Sequence, residues 1–131
     1  MEYAHGRQED QPSPGNPGTF SGRALLNPLL DEVGTVRVNS VVFEPGGRTF
    51  WHSHAGGQVL LVGSGQGMVE TRDGDRHVLH PGDVVWAAPG EEHWHGAAPD
   101  SSLAHTAISL GVVEWLEEVP ADRYQEAFKA E

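Results

Sequence analysis

Three regimes of hydrophobic pattern follow one another along the chain. Residues 1–18, "MEYAHGRQEDQPSPGNPG", are polar, rich in proline and glycine, and offer almost nothing to bury. From residue 19 to about 116, short apolar runs alternate with turns: "RALLNPLL", "TVRVNSVVFE", "TFWHSH", "QVLLVGSG", "MVETRDG", "DRHVLH", "DVVWAAPG", "HWHGAAP" and "LAHTAISLG". Closely spaced short runs without helical periodicity predict an all-β sandwich or barrel. Only the end reads as helix, with Pro120 suited to open it and Tyr124, Ala127 and Phe128 on one face at i, i+3, i+4.

The separators carry turn chemistry. Pro45-Gly46, Pro81-Gly82 and Pro89-Gly90 suit type II turns, and Asp73-Gly74 suits a hairpin. No internal repeat is evident. The expected organisation is a flexible tail over 1–18, with His5 solvated, followed by one β-barrel domain over 19–131 that ends in a short helix.

Charge narrows the partners. The chain has 131 residues, 19 acidic against 8 basic, and a net charge of −11. Such a balance repels phosphate backbones and anionic lipid, and no basic run offsets it, so nucleic acid and membrane are set aside in favour of a small molecule. Cysteine is absent, which removes disulfides, thiolate ligands and a cysteine nucleophile. The opening has no apolar run of signal-peptide type and no stretch suited to crossing a bilayer, so a cytoplasmic location is expected.

The chemistry lies in "WHSHAGGQ" and "GEEHWHG". Side chains two apart on a strand share a face, so His52 and His54 point one way, and so do His93 and His95. Neutral imidazoles on one face can converge on a cation. If "TFWHSH" and "QVLLV" pair as a hairpin across Ala55-Gly56-Gly57, Gln58 lands beside the first two histidines. On "SLAHTAISL", His105 shares a face with Ala107 and Ser109, small residues that leave room for a ligand. Asn39, Val41 and Phe43 share a face and are expected as pocket wall, and Phe50 shares the face of His52. His77 and His80 are expected in solvent. Trp51, Trp86 and Trp94 are expected in the core, with an oligomer interface as the alternative.

Other chemistries find no support. No serine sits in a nucleophile elbow, and "GSGQG" belongs to a strand-turn pattern. The carboxylates of Glu91-Glu92 and Glu117-Glu118 point apart on extended chain.

"GGRTFWHSHAGGQVLLVGSGQG" resembles the first cupin motif, and "GDVVWAAPGEEHWHGA" resembles the second. The resemblance implies a double-stranded β-helix, or jelly-roll, barrel. Two departures stand out: Gln58 where many cupins carry glutamate, and Ala88 where the second motif often has proline. Neutral donors alone would leave the full charge on a divalent ion and strengthen it as a Lewis acid. Nearly all of the chain beyond residue 18 is similar to small manganese cupins with hydroxynitrile lyase activity. That resemblance implies His52, His54, Gln58 and His93 as ligands of one manganese ion, with Fe, Ni, Co or Zn as alternatives. It also aims His105 at the metal pocket, where it is expected to move the substrate proton, with His95 as the next candidate.

Three functions follow in order: a metal-dependent lyase acting on cyanohydrins or related hydroxy or carbonyl compounds, a quercetinase-like dioxygenase, and a non-catalytic small-ligand-binding cupin. A homodimer or homotetramer is expected, with "GTFSGRALLN" as a strand to lend to a neighbour.

Overall fold

The computed structural model describes residues 1–4 and 18–129, with backbone only at Asp31 and Glu32. Residues 5–17 of the tail expected over 1–18, His5 included, lie outside these residues. Among them, twelve strands and one helix follow in order. They are β1 (Phe20–Ser21), β2 (Ala24–Val33), β3 (Val36–Phe43), β4 (Arg48–Thr49), β5 (His52–His54), β6 (Gln58–Gly65), β7 (Gly67–Thr71), β8 (Arg76–Leu79), β9 (Val84–Ala87), β10 (His93–Ala97), β11 (Leu103–Leu110), β12 (Val113–Trp115) and α1 (Ala121–Lys129).

The strands form two sheets that curl around one interior. One runs β1-β4-β10-β5-β12, with β7 on the other side of β10 and β8 beyond it. The second runs β2-β3-β11-β6-β9. The expected turns are present, since Gly46, Gly82 and Gly90 take positive φ of 83°, 91° and 76° behind their prolines.

One expectation is corrected. β5 and β6 do not form a hairpin: β5 pairs with β10 and β12 in one sheet, while β6 pairs with β11 and β9 in the other. Gly57, at φ +93°, turns the chain across the barrel, and a Cβ there would lie 2.4 Å from the Trp86 ring and 2.9 Å from the Ala87 carbonyl. In the single chain, "GTFSGRALLN" pairs with strands of its own barrel, Phe20 opposite Thr49 and β2 along β3.

Alternation divides the apolar residues between two cores. Phe20, Val41, Phe43, Val62, Val69, Leu79, Ala97 and Leu103 fill the interior. Trp51, Met68, Trp94, Val119, Tyr124 and Ala127 form a second cluster beneath α1, on the outside of the first sheet. The expected helix face is the one buried, with Tyr124 Oη donating to the Ala97 carbonyl at 2.6 Å. The guanidinium groups of Arg72 and Arg123 pack against Trp51, 4.2 and 5.1 Å from its ring centre. Trp94 Nε1 donates to the buried Glu70 carboxylate at 2.9 Å, and Arg123 Nε donates to the same oxygen at 3.1 Å. The carboxylate therefore has partners for its charge, as burial requires.

Trp86 departs from the core expectation. It is 54% exposed on β9, the edge strand of the second sheet among the described residues, beside Val84 at 67%. The outward positions of β3, β11, β6 and β9 include Val38, Ile108, Val59, Leu61, Val84 and Trp86, and none of these four strands turns a charged residue outward. An antiparallel sheet with one wet face normally alternates apolar with polar residues.

Candidate functional site

Strand alternation builds the site. Trp51 and Trp94 point out to the helix, so His52, His54, His93 and His95 point into the barrel, where all four are buried. His52 and His93 are direct register partners on β5 and β10, with ring centres 4.4 Å apart. His54 and His95 lie 5.1 and 5.2 Å from the His52 ring. Gln58, the first residue of β6, reaches in from the opposite sheet, and its Oε1 lies 2.9 Å from His93 Nε2. Crossing the barrel thus brings Gln58 to the histidines as expected, by a different route from a hairpin.

The backbone fixes which nitrogens are free. His52 Nδ1 donates to the Phe50 carbonyl and His93 Nδ1 to the Glu91 carbonyl, each at 2.9 Å, so both rings turn an Nε2 lone pair inward. Anchoring one ring N–H on a carbonyl is how a metal-binding imidazole is held in place. Gln58 Nε2 donates to Ser109 Oγ at 3.0 Å, which sets Oε1 against the His93 lone pair. Two acceptors face each other there. A cation between them resolves the conflict.

Both ring nitrogens of His54, Nε2 of His95 and Nδ1 of His105 are buried without a hydrogen-bond partner. Unpartnered buried polar atoms are costly, and a cation bound among the imidazoles would satisfy those of His54 and His95. Among the described residues, His52, His93 and His95 form a group whose ligand atoms all lie within 4.8 Å of one another and could hold a metal ion. This differs from the expected set, which had His54 in place of His95. His54 and Gln58 stand beside the compact group, so five donors surround one space.

A cavity of about 250 Å³ opens over four of these donors, His52, His54, Gln58 and His95. Asn39, Val41, Ala107 and Ser109 line it, as expected for pocket wall. Phe50 does not, because it lies between β4 and β5 and offers only its carbonyl, to His52. His105 is also absent from the wall, although it shares the face of Ala107 and Ser109. Phe43 packs against its ring at 5.5 Å, and His95 covers it, with His105 Nε2 3.0 Å from His95 Nδ1. The side chain expected to face the ligand therefore stands one residue behind it.

Sequence reasoning missed Arg37, Thr49 and Trp115 on the wall. Arg37 had a readable signal, since it lies two residues before Asn39 on the same strand face. A larger hollow of about 430 Å³ between β8 and β9 meets the cluster only at His93, so the chemistry belongs to the smaller cavity. His77 and His80 lie near Asp75 and Asp83 with their side chains 69% and 55% exposed, in solvent as expected.

Comparison with known proteins then decides the family. Residues 39–108 match the Cupin domain, and this stretch spans both histidine motifs. The chain is a cupin. It is 43% identical over 112 residues, 81% of this chain and 86% of the relative, to the (R)-mandelonitrile lyase of Granulicella tundricola. A cupin-like protein of Thermotoga maritima superposes with a TM-score of 0.87 at 38% identity, covering 95% of this chain and all of that one. A polyketide cyclase of Streptomyces resistomycificus shares the fold, with a TM-score of 0.72 at 18% identity over 95% of this chain and 91% of its own. The match to the cyclase shows architecture alone.

Burial sets the protonation of the cupin's histidines. Loss of water holds His52 and His95 well below the ordinary histidine value, reinforced by neighbouring imidazolium charge, and lowers His93 as well. Burial, and then the charges of His93 and Arg37, take His54 to about 4, and burial takes His105 to about 4. All five are neutral at pH 7, as metal ligands and bases must be.

These shifts carry a stability consequence. The unfolded chain takes up protons at its histidines near 6.5, whereas folded His54 and His105 resist until about 4. Between those values the unfolded state binds more protons, so this contribution is complete above about 6.5 and is lost as pH falls toward 4. The melting temperature of metal-stripped protein is expected to fall between pH 6.5 and 5, before most carboxylates titrate. A flat profile across that window would contradict the buried neutral cluster.

Proposed function

We propose that this cupin is a metal-dependent lyase that cleaves cyanohydrins, or closely related hydroxy compounds, to a carbonyl product. The observation that carries the reading is the His95–His105 pair, with a bare His95 nitrogen at a cavity shared by three other donors. The chain's 43% identity to a (R)-mandelonitrile lyase supports the substrate class.

His52, His54, Gln58 and His93 are assigned to hold one divalent ion, manganese by preference and Fe, Ni, Co or Zn as alternatives. His54 is chosen over His95 because both its nitrogens are bare, while His95 is tied to His105. A divalent ion held by four neutral donors supplies a strong Lewis-acid field that favours negative charge on a nearby oxygen or departing anion.

The chain's own residues manage the proton. With Nδ1–H donating to His105 Nε2, His95 keeps its Nε2 lone pair toward the cavity. That nitrogen takes the proton of the substrate hydroxyl, and His105 Nε2 steadies the resulting imidazolium by accepting from its Nδ1–H. The oxygen lone pair becomes the carbonyl π bond, the C–C bond to the nitrile breaks, and cyanide leaves with the bonding pair. His95 then returns its proton to cyanide, which closes the cycle with HCN and an aldehyde or ketone. Val41, Ala107 and Trp115 give the substrate an apolar wall.

The test of reaction class is cyanide release from mandelonitrile under argon, set against oxygen uptake with flavonols or diketones. Cyanide without oxygen consumption supports the lyase. Oxygen consumption alone would overturn it in favour of a dioxygenase, and neither would leave a binding protein.

A second copy of the chain is proposed as the cover for the outer face of the β2-β3-β11-β6-β9 sheet, on which β3, β11, β6 and β9 turn no charged residue outward. In a chain of net charge −11, that face is where two copies meet without repulsion. Five strands about 4.8 Å apart and roughly 25 Å long offer on the order of 600 Å² before side-chain relief. That approaches the ~800 Å² per partner of a stable interface. Light scattering at micromolar concentration is expected to give a dimer or a multiple of it, and Ile108→Asp to give a monomer. A monomeric wild type would contradict this.

A further inference from the structure

We propose that Trp115 is the specificity-determining residue of this cavity, an aromatic plate that receives a planar aryl group borne on the substrate carbon that carries the hydroxyl. This names the substrate class of the site assigned above and rests on that assignment. β12 is an edge strand of the first sheet among the described residues, joined to β5 with Val113 opposite His54 and Trp115 opposite His52. Side chains directly opposite share a face, so both turn inward with the histidines, and both line the cavity. The chain has four tryptophans. Trp51 and Trp94 lie beneath α1 and Trp86 points outward opposite Val59, which leaves Trp115 as the one aimed at the donors.

The ring is placed before a ligand arrives. The indole leans on His52, with ring centres 4.6 Å apart, and on Phe20, at 6.1 Å. Phe20 in turn stacks on Phe43 at 5.7 Å, and His52 is held by the Phe50 carbonyl, so both neighbours are themselves fixed. Yet the indole is 38% exposed, against 1% for His52, and so reaches from the buried donors to the open end of the cavity. The second sheet supplies Leu26, Val41 and Ala107 to the same space, apolar side chains without a ring. Any apolar substituent gains from such a wall. A flat ring gains an offset or edge contact with the indole besides, worth about 2- to 10-fold in affinity. The cavity, at about 250 Å³, lies at the small end of ligand sites and suits one ring with the carbon that carries it.

The probes are benzyl alcohol and cyclohexylmethanol, alike in skeleton but one flat and one puckered, titrated by calorimetry into metal-loaded and metal-stripped protein. Running both forms keeps any change in metal content of a variant apart from the contact being read. Benzyl alcohol is expected to bind about 2- to 10-fold more tightly than cyclohexylmethanol in the wild type. Trp115→Leu is expected to abolish that preference and Trp115→Phe to keep it; should Trp115→Leu not fold, Trp115→Met is read in its place. Equal binding of the two alcohols, no binding of either at millimolar concentration, or a preference that survives Trp115→Leu would overturn the proposal. Cyanide release from mandelonitrile and its cyclohexyl counterpart, assayed alongside, separates the two readings. The aryl contact is made before and during reaction alike, so its loss in Trp115→Leu is expected to raise KM for mandelonitrile more than it lowers kcat. No cyanide from either compound, with the alcohol preference intact, removes the lyase and leaves the aryl plate standing. Cyanide release without any alcohol preference removes the plate and leaves the lyase.

Discussion

Replacement of His93 by alanine is expected to leave the protein without bound metal and to bring cyanide release from mandelonitrile to the background rate. His93 is 1% exposed, faces His52 directly across β5 and β10, and touches Gln58 from the opposite sheet. It is the imidazole that both sheets address. Its ring is oriented by the Glu91 carbonyl, so the lone pair is aimed before any ion arrives. Loss of even an outer partner to such a ligand costs about 10- to 100-fold in metal affinity, and loss of the ligand itself costs more. Elemental analysis of the purified variant, with circular dichroism to show the barrel intact, reads the result. Full metal content in His93→Ala would remove His93 from the ligand set.

The second large effect belongs to His95. His95→Ala is expected to lower the rate of cyanide release by roughly 10²–10⁴, the usual contribution of one positioned acid–base group, while metal content stays full. His105→Ala should cost less, because His105 acts through His95 and does not line the cavity. The comparison also decides between His54 and His95 as the third imidazole. If His95→Ala loses the metal while His54→Ala retains it, the compact group of His52, His93 and His95 is the binding set. An unchanged rate in His95→Ala would remove it as the base.

How far the sequence reaches depends on the range of the interaction being read. Alternation is local, and it correctly turned "WHSH" and "HWH" so that tryptophans face the helix and histidines face the interior. The Pro-Gly turns and the Tyr124–Ala127 helix face are local too, and they stand as expected. Strand partnership is not local. Gln58 was expected beside His54 through a three-residue hairpin, but it reaches His93 by crossing to the other sheet, because both edges of β6 are taken by β11 and β9.

Depth is hidden for the same reason. His105 shares a face with Ala107 and Ser109, and alternation cannot reveal that Phe43 and His95 close over it. For Trp86 the expectation is the core, with an oligomer interface as the alternative, and the structure excludes the core. Its exposure follows from its place on the edge strand β9, pointing outward opposite Val59, which only the sheet order defines.

The most direct measurement is a titration of metal-stripped protein with Mn²⁺, following cyanide release from mandelonitrile under argon. The account predicts no release without metal and a rise that saturates at one ion per chain, with His95→Ala binding the same single ion but releasing cyanide far more slowly. Release by fully stripped protein at the wild-type rate, or no release at any metal loading, would contradict it.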